Sequence, residues 1–419
     1  MPLAFATSVV VARELGPSYK GTYDLAVASA GLLALVLGLA LPAGITFSVA
    51  RGLASPRRVA GIVLVAAVVQ LVVAYGLLSL GQGTSVGASV LPTVQSPEMQ
   101  ALVALLAAGT GAVASMKAIL MGRQLIARGS WIDLGGRVLL LGGLVGVGLA
   151  LAGTRPSPEL IVGIAATASL VTAVVLGLAA VHRTVPGGPL GLAQGIRVAL
   201  PSYAANVLQF LNYRLDLFLV ALFRTSAEVG LYALAATIAQ LIWLISNAMA
   251  AALFPRVAAN DEGVGPVVAR TARFSRFALA SAAVQAVLLG IVAAPLLQVV
   301  YGSAFEPAAV PIWLLLPGVV MFAPVNVLAA HLAGLARTEL NLVVSAASLV
   351  VTVTLDLVLI PKWGMTGAAL ATSVAYGTSA LLTVVLYCRV VRSPPADLLV
   401  PTPDDLRAAA DRIRAVVWR

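Results

Sequence analysis

The sequence predicts an all-α polytopic membrane protein of about twelve transmembrane helices in two six-helix lobes. Three observations predict it. The 419 residues are 60% hydrophobic and only 10% charged, with a mean hydropathy of +1.02, which is foreign to a soluble domain of this size. Apolar runs long enough to cross a bilayer, about 20 residues at 1.5 Å rise each, recur along the chain. Only helices or closed barrels satisfy every backbone group in hydrocarbon, and the short alternating segments of a barrel are missing. The basic residues, finally, sort by loop.

Spans are expected at 1–12 (short), 23–49, 59–80, 99–117, 131–152, 159–181, 196–223, 229–254, 276–300, 308–334, 340–360 and 366–391. The net charge is +10 and the pI about 10.2, which invites a nucleic-acid reading. The placement of the charge rejects it. One set of loops carries Arg51, Arg57, Arg58, Lys117, Arg123, Arg128, Arg137, Arg183, Arg197, Arg256, Arg270, Arg273, Arg276, Arg337, Arg389, Arg392 and four tail arginines, 20 of the 26 basic residues. The other set holds Arg13, Lys20, Arg155, Arg224 and Lys362, while Arg214 is intramembrane. The positive-inside rule assigns the first set and both termini to the cytoplasm.

No cleavable signal peptide is recognisable. Met1 to Ala12 is a short apolar stretch ending at Arg13, so either the first helix is truncated or the start lies upstream. The longest outer loop, Gly81 to Pro97, has no charged residue. A membrane enzyme of glycan assembly needs acids, arginines or histidines on a sizeable extramembrane loop, so an enzyme is not expected. Cys388 is the single cysteine and His182 and His331 the only histidines, which argues against disulfides, metal centres and cofactors.

An internal repeat is legible. Gly21-Thr-Tyr-Asp-Leu-Ala26 matches Gly230-Leu-Tyr-Ala-Leu-Ala235, and Gly163-Ile-Ala-Ala-Thr-Ala168 matches Gly367-Ala-Ala-Leu-Ala-Thr372. Six-helix halves in the same orientation form a parallel repeat, which in transporters places substrate between halves that rock. The expected division is 1–181 as the N-lobe, 182–195 as a Gly- and Pro-rich cytoplasmic linker, 196–392 as the C-lobe and 393–419 as a cytoplasmic tail. Thr402 or Asp404 can cap a tail helix carrying Leu406, Ile413, Val417 and Trp418 among arginines, either an interfacial amphipathic helix or a solvated tail.

The stretch Gly195 to Phe223, GIRVALPSYAANVLQFLNYRLDLFLVALF, opens the second half and is the richest in intramembrane polar residues. At roughly 100° per residue, Asn206, Gln209, Asn212, Tyr213 and Asp216 fall within a sector of about 120°. Such a stripe belongs against a bundle interior or a water-filled cavity. Asp216 would bind a coupling cation, a proton or substrate hydroxyls; the bland alternative is a structural ion pair, for example with Arg214. Arg214 lies off the stripe and either meets a diphosphate or pairs between helices. Asn206, Gln209, Asn212 and Tyr213 would hydrogen-bond sugars or serve as interhelical glue.

Asp24 and Asp356 are expected near outer span ends, more interfacial than functional. Asp133 and Arg137 are expected to form an i,i+4 surface pair. Arg197 and Arg51 sit where an anionic headgroup would arrive from the cytoplasm. Pro42, Pro201, Pro295, Pro317 and Pro324 should kink their spans.

Three segments carry a family resemblance. Ala12 to Ala26 (ARELGPSYKGTYDLA), Asn212 to Ala235 (NYRLDLFLVALFRTSAEVGLYALA) and Leu355 to Thr372 (LDLVLIPKWGMTGAALAT) resemble the corresponding joins in polysaccharide-export flippases of the MOP superfamily. The resemblance implies a V-shaped, MATE/MOP-like two-lobed fold moving a polyprenyl-diphosphate-linked oligosaccharide to the outer leaflet of the bacterial cytoplasmic membrane. It also implies a coupling ion, H+ or Na+, with the lipid-linked oligosaccharide, membrane lipids, and a polysaccharide polymerase or glycosyltransferases as partners. Asp356 departs from the family pattern, where an uncharged polar residue is more usual. Fewer spans and few intramembrane arginines set the chain apart from lipid II flippases. A cation-coupled drug or metabolite antiporter of the same fold is the alternative.

Overall fold

The computed structural model describes residues 2–82, 94–151, 156–182, 192–259 and 264–400, and among these every regular element is a helix. Eleven helical segments of the described residues are long and apolar enough to cross a membrane. In chain order the helices are α1 (Pro2–Leu37), α2 (Leu41–Ala50), α3 (Pro56–Gln82), α4 (Pro97–Gly122), α5 (Ile126–Ala150), α6 (Pro158–Val181), α7 (Leu192–Phe223) and α8 (Ser226–Gln240). There follow α9 (Leu244–Ala259), α10 (Val264–Leu296), α11 (Ala309–Gly334), α12 (Thr338–Trp363), α13 (Met365–Val391) and the short α14 (Pro395–Leu399).

The first two expected spans need correction. Residues 2–37 are two helices that meet at a kink at Gly16, φ 72°, just before Pro17, so a short first segment does precede the second, which begins earlier than residue 23. The expected second span, 23–49, is itself split by a break at residues 38–40. Among the described residues the candidate spans number eleven, because the two helices that meet at Gly16 count together as one stretch, Ala6–Leu37. The expected tail helix after Thr402 and most of the inter-lobe linker lie outside the described residues.

By packing, the chain divides into two units: Met1–Ala233 with Val300–Phe305, and Leu234–Val299 with Glu306–Arg419. Helix α7 packs within the first. The repeat-based division at 182–195 concerns symmetry instead of packing, and stands as an expectation.

In the first unit α4 is central, packed on α6, α3 and α2. Its core is built from Val103, Ala104, Leu106 and Ala107 against Val162, Ala165 and Ala166. Ser96 and Ser157 cap α4 and α6 by accepting from the N–H of Met99 and Leu160, at 3.1 and 3.3 Å, and a proline follows each cap as the first-turn residue. Helix α5 is peripheral, with only 6% of its span buried. Asp133 on it meets Arg137 at 3.8 Å, as expected from the spacing, and also Lys117 at 3.0 Å.

In the second unit α11 packs on α13 and α10. Trp243 stacks on Phe322 and Tyr376, with ring centroids 4.8 and 5.2 Å away. It sits where a 3-10 turn at Leu241–Trp243 separates α8 from α9. After Pro295, α10 passes into a π-helical turn, Leu297–Tyr301; the expected kinks at Pro317 and Pro324 fall inside α11. His331, at the last turn of α11, is buried between the hydroxyls of Thr271 and Tyr387, 2.6 and 3.0 Å from its Nδ1. Helix α14 is held by buried Leu398 and by the Arg276 guanidinium donating to the Asp397 carbonyl.

The repeat motif has a direct structural cause. Gly21 and Gly230, the first residues of the two matching hexapeptides, lie against each other. A Cβ on Gly21 would run into the Ser226 carbonyl oxygen and stand 2.8 Å from the Gly230 nitrogen; one on Gly230 would run into the Pro17 carbonyl oxygen. Backbones approach this closely in membranes only across small residues. Gly21→Ala should therefore lower unfolding stability by about 1–3 kcal/mol, read as a lower melting temperature of the purified protein in detergent. Gly61→Ala, with nothing within 4 Å of the added carbon, should leave it unchanged.

Candidate functional site

The break between α1 and α2 opens a cavity. Leu39 (φ 43°) and Ala40 (φ 62°) occupy the left-handed region in succession, costing of order 1–3 kcal/mol each for residues other than glycine. Irregular backbone at membrane depth persists only where protein or a cavity surrounds it. Here Tyr203 Oη donates to the Val36 carbonyl at 2.9 Å, taking an oxygen orphaned when α1 ends. One turn earlier Gln70 Nε2 donates to the Leu33 carbonyl at 3.3 Å.

The cavity beside this break has a volume of about 440 Å³ and lies wholly within the first unit. Its walls are mainly Gly, Ala and Leu, with Phe210 on one side. Gln70, Thr110, Ser115, Tyr203 and Asn206 supply its polar groups, and none of the described residues that line it is charged. It can hold a neutral ligand with hydroxyls and apolar faces.

The polar stripe of α7 does not act as one surface. Asn206 lines the cavity. Gln209 Nε2 donates to Tyr213 Oη at 2.9 Å, pairing two stripe residues one turn apart. Asn212 Nδ2 donates back to the Leu208 carbonyl at 3.0 Å.

Asp216 belongs to a second, separate arrangement. It is 4% exposed, its Oδ1 accepts the Leu217 N–H at 2.8 Å, and its Oδ2 accepts the Tyr232 hydroxyl. Charge-assisted bonds of this kind hold a buried carboxylate against its desolvation. Arg214 is not its partner: that side chain is half-buried and makes no ion pair with a described residue. Arg197 is exposed on α7, and the guanidinium of Arg51 stands 5.0 Å over the Phe47 ring.

Two expectations about acids are corrected. Asp356 is 0% exposed within α12, not interfacial. Asp24 is half-buried and paired with Lys20, four residues earlier; Lys20, expected in an outer loop, is a helical residue only 3% exposed. The helix simply begins earlier than hydropathy places it, because Lys20 neutralises Asp24 one turn away. Tyr203, Gln70 and Tyr232 were missed. Gln70 was findable as a lone amide in an apolar run. Tyr232 stands in the repeat motif, and Tyr203 three residues before Asn206. Among the described residues no group of three side chains could hold a metal ion.

These features define a multi-pass membrane protein, and its fold is similar to that of solved MOP-superfamily transporters. One solved relative is a multidrug resistance MATE family transporter in an inward-facing conformation, 17% identical over 93% of this chain and 94% of that one, TM-score 0.71. Another is the lipid II flippase MurJ in an inward closed conformation, 14% identical over 95% and 87%, TM-score 0.65. A MOP superfamily transporter from Pyrococcus furiosus, for which reverse polarity of the binding pocket suggests a different function, is 17% identical over 92% and 96%, TM-score 0.57. No curated protein matches. Residues 94–310 match the family described as polysaccharide biosynthesis protein, and the chain belongs to that family.

Tyr232→Phe should leave a buried carboxylate short of a donor and cost about 1–3 kcal/mol of unfolding stability. Asp216→Asn keeps an acceptor for the Leu217 N–H, and its Nδ2 can donate to the Tyr232 oxygen in place of the bond it loses, so it should cost less than about 1 kcal/mol. Melting curves of the two variants beside wild type check both, and an Asn variant as unstable as the Phe variant would contradict this account.

Proposed function

We propose that this protein flips a polyprenyl-diphosphate-linked oligosaccharide from the inner to the outer leaflet of a bacterial cytoplasmic membrane, with both termini cytoplasmic. Family membership supports the reading. The observation that carries it is the cavity at the α1–α2 break, which offers amides and hydroxyls but no charge. Sugar hydroxyls suit Asn206, Tyr203, Gln70, Thr110 and Ser115, and sugar C–H faces suit Phe210 and the alanines. The polyprenyl chain stays in lipid while the headgroup passes. Arg197 and Arg51, on the arginine-rich side, would meet the diphosphate. The two six-helix halves would alternate access by rocking. Enzymes that assemble or polymerise the glycan are the implied neighbours.

A second reading, a cation-coupled exporter, is favoured by the buried carboxylate of Asp216, which would take up H+ or Na+. The same carboxylate would couple ion movement to flipping in the first reading.

Lipid extracts of a strain lacking the gene test the assignment. Trapped polyprenyl-diphosphate oligosaccharide, relieved by the wild-type gene, is expected. Asn206→Ala should slow relief by about 2- to 10-fold, the worth of one neutral hydrogen bond. Asp216→Asn should abolish relief if ion coupling runs through it. A strain that traps no such lipid and instead changes its drug sensitivity would establish the exporter.

A further inference from the structure

A second concave surface of the first unit shares no lining residue with the cavity. It is an open groove of about 710 Å³ between the first turns of α5 and the last turns of α6, lined by Arg128, Trp131, Ile132, Val175, Leu178 and His182. We propose that this groove holds the headgroup and upper acyl chain of an anionic phospholipid.

The location dictates a lipid occupant. Both walls are apolar helices able to span a membrane, and α5 buries almost none of its span in the protein. Trp131 is 72% and Leu178 65% exposed, so these faces are solvated by lipid. Trp131 lies in the second turn of α5, at the level where an indole ring sits between headgroups and acyl chains. Ile132, Val175 and Leu178 continue the groove in the apolar direction.

Charge selects an anionic lipid. Arg128 and His182 stand at the polar end, and none of the described residues that line the groove is an acid. The acid of the neighbouring turn, Asp133, is already engaged by Lys117 and Arg137. Arg123 donates from Nη1 to the carbonyls of Ala180 at 2.8 Å and His182 at 3.1 Å. Those bonds fix the last turn of α6 and so the groove's far wall, while adding a further positive charge. A guanidinium such as Arg128 grips a phosphodiester with two parallel N–H bonds. These arginines belong to the basic set expected on the cytoplasmic leaflet, which carries the anionic lipids.

The test uses the full chain, purified in detergent and stripped of lipid, then given phosphatidylglycerol or phosphatidylcholine. Native mass spectrometry should show phosphatidylglycerol retained about fivefold better, the weight of one basic side chain at a lipid surface. Arg128→Gln should bring the two lipids to parity with its melting curve unchanged. Arg57→Gln, an exposed arginine outside the groove, should keep the preference. Phosphatidylglycerol with brominated acyl chains should quench less fluorescence in Trp131→Phe than in wild type. An unchanged preference in Arg128→Gln, or an equal loss in Arg57→Gln, would overturn the proposal. So would displacement of phosphatidylglycerol by a polyprenyl diphosphate that depends on Arg128, since the groove would then be a substrate site.

Discussion

A carbonyl released from a helix within an apolar slab must find a donor in the protein, since lipid offers none. That constraint decides where this chain keeps its few polar side chains. At the break at residues 38–40, Tyr203 reaches the Val36 carbonyl, and one turn earlier Gln70 reaches the Leu33 carbonyl. Near the proline pair of α11, Trp243 Nε1 donates to the Val319 carbonyl at 2.8 Å and Ser373 Oγ accepts the Gly318 N–H at 2.9 Å. The last turn of α6 is closed by Arg123. At the α1–α2 break and at the end of α6, polar side chains take carbonyls that the helix ends leave free, and a concave surface lies beside each.

The fold class was legible because hydropathy and loop charge are one-dimensional signals of a one-dimensional constraint, the thickness of the bilayer. The repeat was legible for a stronger reason. Gly21 and Gly230 are matched in sequence and touch in space, so a single steric requirement imposed the same residue on both halves. Helix starts were not legible at Lys20, where a buried pair with Asp24 offsets the charge that hydropathy penalises. The split of the second span at 38–40 was legible in part, since Gly38 and the expected kink at Pro42 flank it, but Leu39 and Ala40 themselves carry no turn signal. Their left-handed backbone is imposed by tertiary bonds from Tyr203 and Gln70.

The candidate site was half legible. The periodicity of α7 correctly gathers Asn206, Gln209, Asn212, Tyr213 and Asp216 on one side, but a shared face is not a shared environment. Helical neighbours one turn apart bond to one another, as Gln209 does to Tyr213 and Asn212 to the Leu208 carbonyl. Partners from other helices then divide the rest. Tyr232 claims Asp216, and the α1–α2 break claims Asn206 for the cavity. A single sequence shows the angle of a residue on its helix and says nothing of which neighbour faces it.

The separation of acid from cavity constrains any mechanism. Asn206 and Asp216 are ten residues apart on α7, about 15 Å along the helix axis. A change of charge at Asp216 therefore cannot act on a ligand beside Asn206 through direct contact. It can act through α7 itself, because the same helix carries Tyr203, whose hydroxyl anchors the strained end of α1. Loss of the bond between Asp216 and Tyr232 would free α7 relative to α8, and a small shift of α7 would carry Tyr203 away from the Val36 carbonyl. The left-handed pair at Leu39 and Ala40 would then lose the contact that holds it, and the cavity wall would move with it. Under the proposed ion-coupled function, coupling would run along one helix from a buried acid to a broken one.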